Sequence, residues 1–279
     1  MQCPPIRHIT ALFHNPHWEC FARDETGRCA PYQKHLFETL LRTYKIDFAG
    51  LAMGDDHWAP PSGYRALRHR SGIESHTLVW RLSRWHKEAW RGAAFQRGRA
   101  CILARFRSRR NRGLCVVVAS MHYPHTRKGS ADVGEAIRCL CQGHTSDVLF
   151  MADTNSWAGY GQLMTDLGFG GQATTVRGTP LVGTCCADRL RFDAPFDRIW
   201  SNFGARMRSV VDADYAALTQ DLKYAPPDVK HALKLSRKTT AAWHHPVMAR
   251  LSLTPDAHRC EKSLLKLLGA SGARHLVQK

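Results

Sequence analysis

Several short stretches of the 279-residue chain place side chains capable of proton transfer at the ends of apolar runs. They are His14-Asn15-Pro16, Met121-His122-Tyr123-Pro124-His125, Met151-Ala152-Asp153-Thr154-Asn155, Phe196-Asp197-Arg198-Ile199-Trp200 and Trp243-His244-His245-Pro246-Val247. His and Asp are the usual general acids and bases, and an Asp beside a His fixes the imidazole tautomer and stabilises its charged form. A polar group of this kind left unpaired on burial costs roughly 1–3 kcal/mol, so apolar strands have no structural reason to end in Asp, Asn and His together. Taken singly each stretch is a weak signal. Asp-x-Asn is a common turn former because both side chains bond their own backbone, and His-His-Pro also suits a surface turn. The ordered set points to chemistry.

The elements that must position these residues follow from periodicity. Ile6 to Phe13 predicts a first strand with Asn15 at its exit, because Pro16 pushes the residue before it toward an extended conformation. Leu36, Phe37, Leu40, Leu41 and Tyr44 recur at helical spacing and predict an amphipathic helix over 33–44, leading into a buried strand from Ile46 to Met53. Further strands are expected over Thr77–Leu82, Ala100–Phe106, Cys115–Met121, Val148–Ala152, Phe196–Ser201 and Val247–Leu253. Helices are expected from Ser130 to Gln142, from Ser156 to Gly168 and from Ala213 to Lys223. Many strands with few helices predict a layered α/β protein with packed sheets, not a regular β-α-β alternation. One domain is expected over 1–253, followed by a basic tail with a short helix over 254–279.

Composition bounds the partners. Forty Lys and Arg against 23 Asp and Glu give a net charge of +17, which favours polyphosphate surfaces through counterion release. A base composition rich in Arg, Ala and His codons would produce the same excess without any binding site. With 44% apolar and 23% charged residues the chain is globular, not disordered. No apolar stretch approaches the ~20 residues of a membrane span, and the N-terminus lacks a signal-peptide core. An intracellular, non-secreted protein with no membrane partner is therefore expected, and its ten cysteines, which form no C-x-x-C pair, read as reduced thiols.

In order and spacing the strand-end motifs resemble the endonuclease/exonuclease/phosphatase superfamily over about residues 6 to 253. The most specific pieces are Leu149-Phe150-Met151-Ala152-Asp153-Thr154-Asn155, similar to the family's Gly-Asp-x-Asn, and His244-His245-Pro246-Val247, similar to its Ser-Asp-His-x-Pro-Val. The resemblance implies a four-layer α/β sandwich, two packed mixed sheets flanked by helices, and metal-assisted attack of water on a phosphate ester with Mg²⁺ or Mn²⁺. It further implies that Asn15 helps organise metal and phosphate, that His122 contacts the scissile phosphate, and that Asp153 contributes to the metal site and orients or deprotonates the attacking water. Asn155 becomes its phosphate-binding partner, His244 the terminal catalytic histidine, and Asp197 the carboxylate that orients it. His125 is expected to add a phosphate contact. Nucleic acid, DNA before RNA, is the implied partner.

Two positions depart from the family. Ala52-Met53 stands where it has Gln-Glu, the Glu being the principal metal ligand, and Trp243 stands where it has an Asp. A thioether is a poor ligand for a hard cation, which leaves Asp55 or Asp56 to reach the ion if their loop bends back. A chain lacking these ligands would bind nucleic acid without cutting it, and that reading stands beside the enzymatic one; a phosphatase of inositol or lipid phosphates is the third. Arg107, Arg109, Arg110 and Arg112, at a turn between strands, are candidate phosphate contacts. The basic region from Tyr64 to Arg99, with Trp80, Trp85 and Trp90, suits either a stacking surface for single strands or a core edged with solvated arginines.

Overall fold

The computed structural model describes residues 6–16, 29–53, 57–72, 74–111, 113–126, 128–141, 147–171, 176–181, 183–184, 194–209, 244 and 246–253. The tail over 254–279, the helix expected from Ala213 to Lys223, and Asp55, Asp56, Arg112 and Trp243 lie outside the described residues.

Two mixed six-stranded sheets form the body of the molecule. The first contains β1 (His8–His14), β2 (Phe48–Ala52), β3 (Tyr64–Ser71), β4 (Glu74–Arg81), β11 (Arg206–Ser209) and β12 (Val247–Ser252), in the order β11-β12-β1-β2-β4-β3. The second contains β5 (Trp85–Ala94), β6 (Ala100–Ser108), β7 (Cys115–His122), β8 (Val148–Asp153), β9 (Arg177–Gly178) and β10 (Asp197–Ser201), in the order β5-β6-β7-β8-β10-β9. Each sheet has one parallel pair, β1 with β2 and β7 with β8, and every other pairing is antiparallel. A parallel pair needs a long crossover, and helices supply it: α1 (Cys29–Thr43) joins β1 to β2, and α2 (Ser130–Cys141) joins β7 to β8. A short α3 (Tyr160–Asp166) follows β8.

Three apolar clusters define the layers. Phe37, Leu40 and Leu41 of α1 pack on Leu12, Ala49 and Val79, the outer face of the first sheet. Val133, Ala136 and Ile137 of α2 pack on Leu103, Val117, Ala119 and Phe150, the outer face of the second. Between the sheets lie Ile9, Ala11, Phe13, Phe48, Leu78, Trp80, Ile102, Phe106, Val116, Val118, Leu149, Met151 and Ile199. Helix, sheet, sheet, helix is the four-layer α/β sandwich that the resemblance implies.

The basic region from Tyr64 to Arg99 resolves into β3, β4 and β5, of which only β4 was expected. Trp80 and Trp85 are buried core residues, leaving Trp90 partly exposed on the edge strand β5. Among the described residues Cys101 and Cys139 are free thiols, and burial pushes the Cys101 thiol up to about 12. No helix among the described residues is long and apolar enough to cross a membrane.

Candidate active site at one end of the sandwich

Alternation along each strand assembles the site. Side chains two apart share a face, so the residues that fill the space between the sheets continue in register to the strand ends. There they turn from apolar to polar: Phe13 is followed by Asn15, Val118 by Ser120 and His122, and Met151 by Asp153. Read backwards along their antiparallel strands, Ile199 leads to Asp197, and Leu78 to His76 and Glu74. The two parallel pairs end at this edge and their antiparallel neighbours begin there. Register confirms the alignment, with His122 opposite Asp153 and Asp153 opposite Asp197. Asn15, His122, Asp153 and Asp197 are all at most 3% exposed, and His244, just ahead of β12, is 6% exposed.

Asp153 is the hub. Its Oδ2 accepts a hydrogen bond from the Asn15 amide at 2.8 Å, and its Oδ1 accepts the Asn155 backbone N–H at 3.0 Å. Asn155 has φ +44°, a left-handed conformation that Asn tolerates when its side chain has local partners. Its amide nitrogen donates to the Tyr123 carbonyl at 2.8 Å, which fixes the orientation of the amide, and it lies 3.1 Å from His122 Nε2. His122 Nδ1 lies 2.9 Å from Glu74 Oε1 and 3.2 Å from an Arg99 guanidinium nitrogen. The Glu74 carboxylate also accepts from Arg99, and its Oε2 takes the Ala100 N–H at 3.1 Å.

A second imidazole–carboxylate pair faces the same hub. His244 Nδ1 lies 2.7 Å from Asp197 Oδ2 and 3.8 Å from Asp153 Oδ2, while His122 Nε2 lies 3.4 Å from that oxygen. Burial alone would push His244 down, but the Asp197 and Asp153 carboxylates outweigh it and hold the imidazole up at about 9. Burial pushes Asp197 up against the pull of His244, so the pair holds one proton along its short contact. Burial works against ionised Asp153 as well; His122, His244 and the hydrogen bonds from Asn155 and Asn15 overcome it and keep the carboxyl below the usual range. Glu74 is lowered in the same way, with burial outweighed by His122 and Arg99.

No family model and no curated protein matches the sequence. Solved structures do share its architecture. An endonuclease/exonuclease/phosphatase family protein from Bacteroides thetaiotaomicron superposes with TM-score 0.59 at 14% identity, over 90% of this chain and 97% of its own. The human Nocturnin catalytic domain, solved with a bound sulfate anion, gives 0.57 at 12% identity over 89% and 94%. ANGEL2, a 2',3'-cyclic phosphatase, gives 0.57 at 11% identity over 88% and 95%. The chain has the endonuclease/exonuclease/phosphatase fold.

Within that fold the expected site residues Asn15, His122, Asp153, Asn155, Asp197 and His244 meet in one cluster, and His125 lies exposed just beyond it. The arginine-rich turn does not meet them. Arg107 ends β6 at the opposite end of the sheet from Ala100 and His122, roughly 20 Å away at ~3.3 Å per residue. Arg107 is also paired with Glu88, and Arg109 rests on the Trp85 carbonyl, leaving Arg110 exposed. The basic side chain that does reach the cluster is Arg99, on Glu74.

Glu74 is the residue that sequence reasoning missed. Two signals could have found it: it is the sole acidic residue between Asp56 and Glu88, and it continues the inward register of His76, Leu78 and Trp80.

A divalent cation fits part of this set. Asp153, Asp197 and His244 offer ligand atoms within 4.8 Å of one another, and buried Asp197 Oδ1 makes no hydrogen bond among the described residues. Carboxylate oxygens suit a hard cation. The family's Glu position supplies nothing: Ala52 is buried opposite His76, and Met53, at φ +53°, is buried too.

Proposed function

We propose that the chain is a metal-dependent phosphodiesterase of the endonuclease/exonuclease/phosphatase superfamily that hydrolyses nucleic acid. The observation that carries the reading is the convergence of two imidazole–carboxylate pairs, His122–Glu74 and His244–Asp197, on one ionised carboxylate, Asp153. Active sites that move protons around a phosphate hold imidazoles and carboxylates against one another, and here both imidazoles lie within 3.8 Å of the Asp153 carboxylate.

The chemistry follows from that geometry. Asp153 accepts a proton from the attacking water, whose oxygen bonds to phosphorus as the ester P–O bond breaks. His244, oriented by Asp197, gives a proton to the departing oxygen. Asn155 and His122, locked to Tyr123 and Glu74, present a fixed polar wall to the phosphate, and Asn15 holds Asp153 in place. Bound by the carboxylates of Asp153 and Asp197, Mg²⁺ or Mn²⁺ would polarise the phosphoryl oxygens and offset their charge. Asp55 and Asp56 stand as further candidate ligands.

The +17 charge favours a polyanionic substrate over a small phosphate. The test is cleavage of a labelled single-stranded oligonucleotide with Mn²⁺, with Mg²⁺ and with excess chelator, in competition with inositol hexakisphosphate. Cleavage that requires the cation and resists the competitor supports the reading. Salt-sensitive binding without cleavage under any of these conditions would leave a nucleic-acid-binding protein in its place.

A further inference from the structure

We propose that Trp157 is the platform on which a nucleobase of the substrate stacks while its phosphate is held at Asn155 and His122. The inference rests on the phosphodiesterase reading above and names a specificity determinant for it. Trp157 is 67% exposed, the most exposed large apolar side chain among the described residues. A tryptophan that leaves most of its surface in water on a mobile loop would mean little. This one is on a loop that is held at both sides.

The Arg198 guanidinium, itself buried, bonds to the carbonyls of Ser156 and Ala158, the residues before and after Trp157, and to that of Pro195. Thr154 is tied to the Phe196 carbonyl through both its N–H and its hydroxyl, at 2.8 and 3.0 Å. The Trp157 ring stands edge-on to Phe196, with centroids 5.9 Å apart and planes at 77°. A buried cation is thus committed to main-chain carbonyls that fix where an indole projects into solvent.

The place of that indole identifies its partner. Trp157 is two residues from Asn155, a chain distance of at most about 7 Å, and its ring partner Phe196 immediately precedes Asp197. A group stacked there belongs to the unit attached to the phosphate being cut. A planar base has the face an indole needs and every base has one, so the contact is tolerant of sequence.

The experiment measures binding of the full chain, by fluorescence anisotropy in chelator, to an oligothymidylate and to an abasic strand of the same length and charge. Wild type should prefer the base-bearing strand. Trp157→Ala should weaken that strand by about 5- to 150-fold, the range expected of one stacked base, and change the abasic strand less than twofold. Trp157→Phe should restore most of the loss. Equal weakening of both strands by Trp157→Ala, no weakening of either, or no base preference in wild type overturns the proposal. Cleavage of both strands by wild type with Mn²⁺ is followed in parallel. If the strands are cut but bound without base preference, the platform fails and the phosphodiesterase stands; base-dependent binding with no cleavage gives the reverse.

Discussion

At the residue scale the polar cluster and the layer just beneath it make different demands on protons. Glu74 Oε1 lies 2.9 Å from His122 Nδ1 and orients the imidazole toward the site. Glu74→Gln keeps the shape but offers a weaker, uncharged partner that can also donate. Steady-state cleavage by this variant should lose roughly 10- to 100-fold in kcat, the range seen when a partner that orients a functional histidine is removed, with the circular dichroism unchanged. One step deeper, His76 bonds to Ser120 at 2.7 Å, and burial depresses its imidazole to about 3 from an ordinary 6.5. The unfolded chain takes up a proton there below pH 6.5 and the folded chain does not until about pH 3, so stability falls as pH drops through that window. Each unit contributes about 1.4 kcal/mol. Urea unfolding at pH 7, 6, 5 and 4 should therefore show a steeper loss for wild type than for His76→Phe, by about that amount per unit below 6.5. Asp153, Asn155, Asp197 and His244 were legible in the sequence because each adjoins an apolar run that marks a strand end. Glu74 was not, because its link to His122 crosses 48 residues and exists only once β4 and β7 face each other across the sandwich.

At the element scale, strands with strong apolar runs were readable and amphipathic ones were not. Residues 148–153 are buried throughout and announce themselves, whereas β3 and β5 mix charged and partly exposed residues over strands that lie at sheet edges. Strand direction decides which end of the sheet a turn occupies, and it sets Arg107 at the end away from the cluster. Packing between helices is equally hidden from local pattern. Gly134 lies inside α2, where alanine would ordinarily stabilise by up to about 1 kcal/mol. A Cβ there would stand 1.8 Å from the Leu167 carbonyl oxygen, backbone that follows α3 and cannot swing aside. Gly134→Ala should reverse the expected sign and destabilise by about 1–3 kcal/mol in thermal or urea unfolding.

At the scale of the whole molecule, the two sheets place hydrophobic mass between them and leave one shared edge where alternation turns polar. The fold thereby concentrates Asn15, Glu74, His122, Asp153, Asp197 and His244, gathered from both sheets and most of the described chain, in a buried cluster. Net positive charge adds long-range attraction for a polyanion but does not mark the site, because the arginine turn that the sequence emphasised is at the far end. Proton transfer at Asp153 is the step by which a working site would differ from a phosphate-binding remnant. The most direct measurement is single-turnover cleavage of an oligonucleotide with saturating Mn²⁺ by wild type and by Asp153→Asn, with both proteins shown folded. The account predicts cleavage by wild type and a loss of at least about 100-fold in the variant. Equal rates in the two proteins, or no cleavage by wild type, would contradict it.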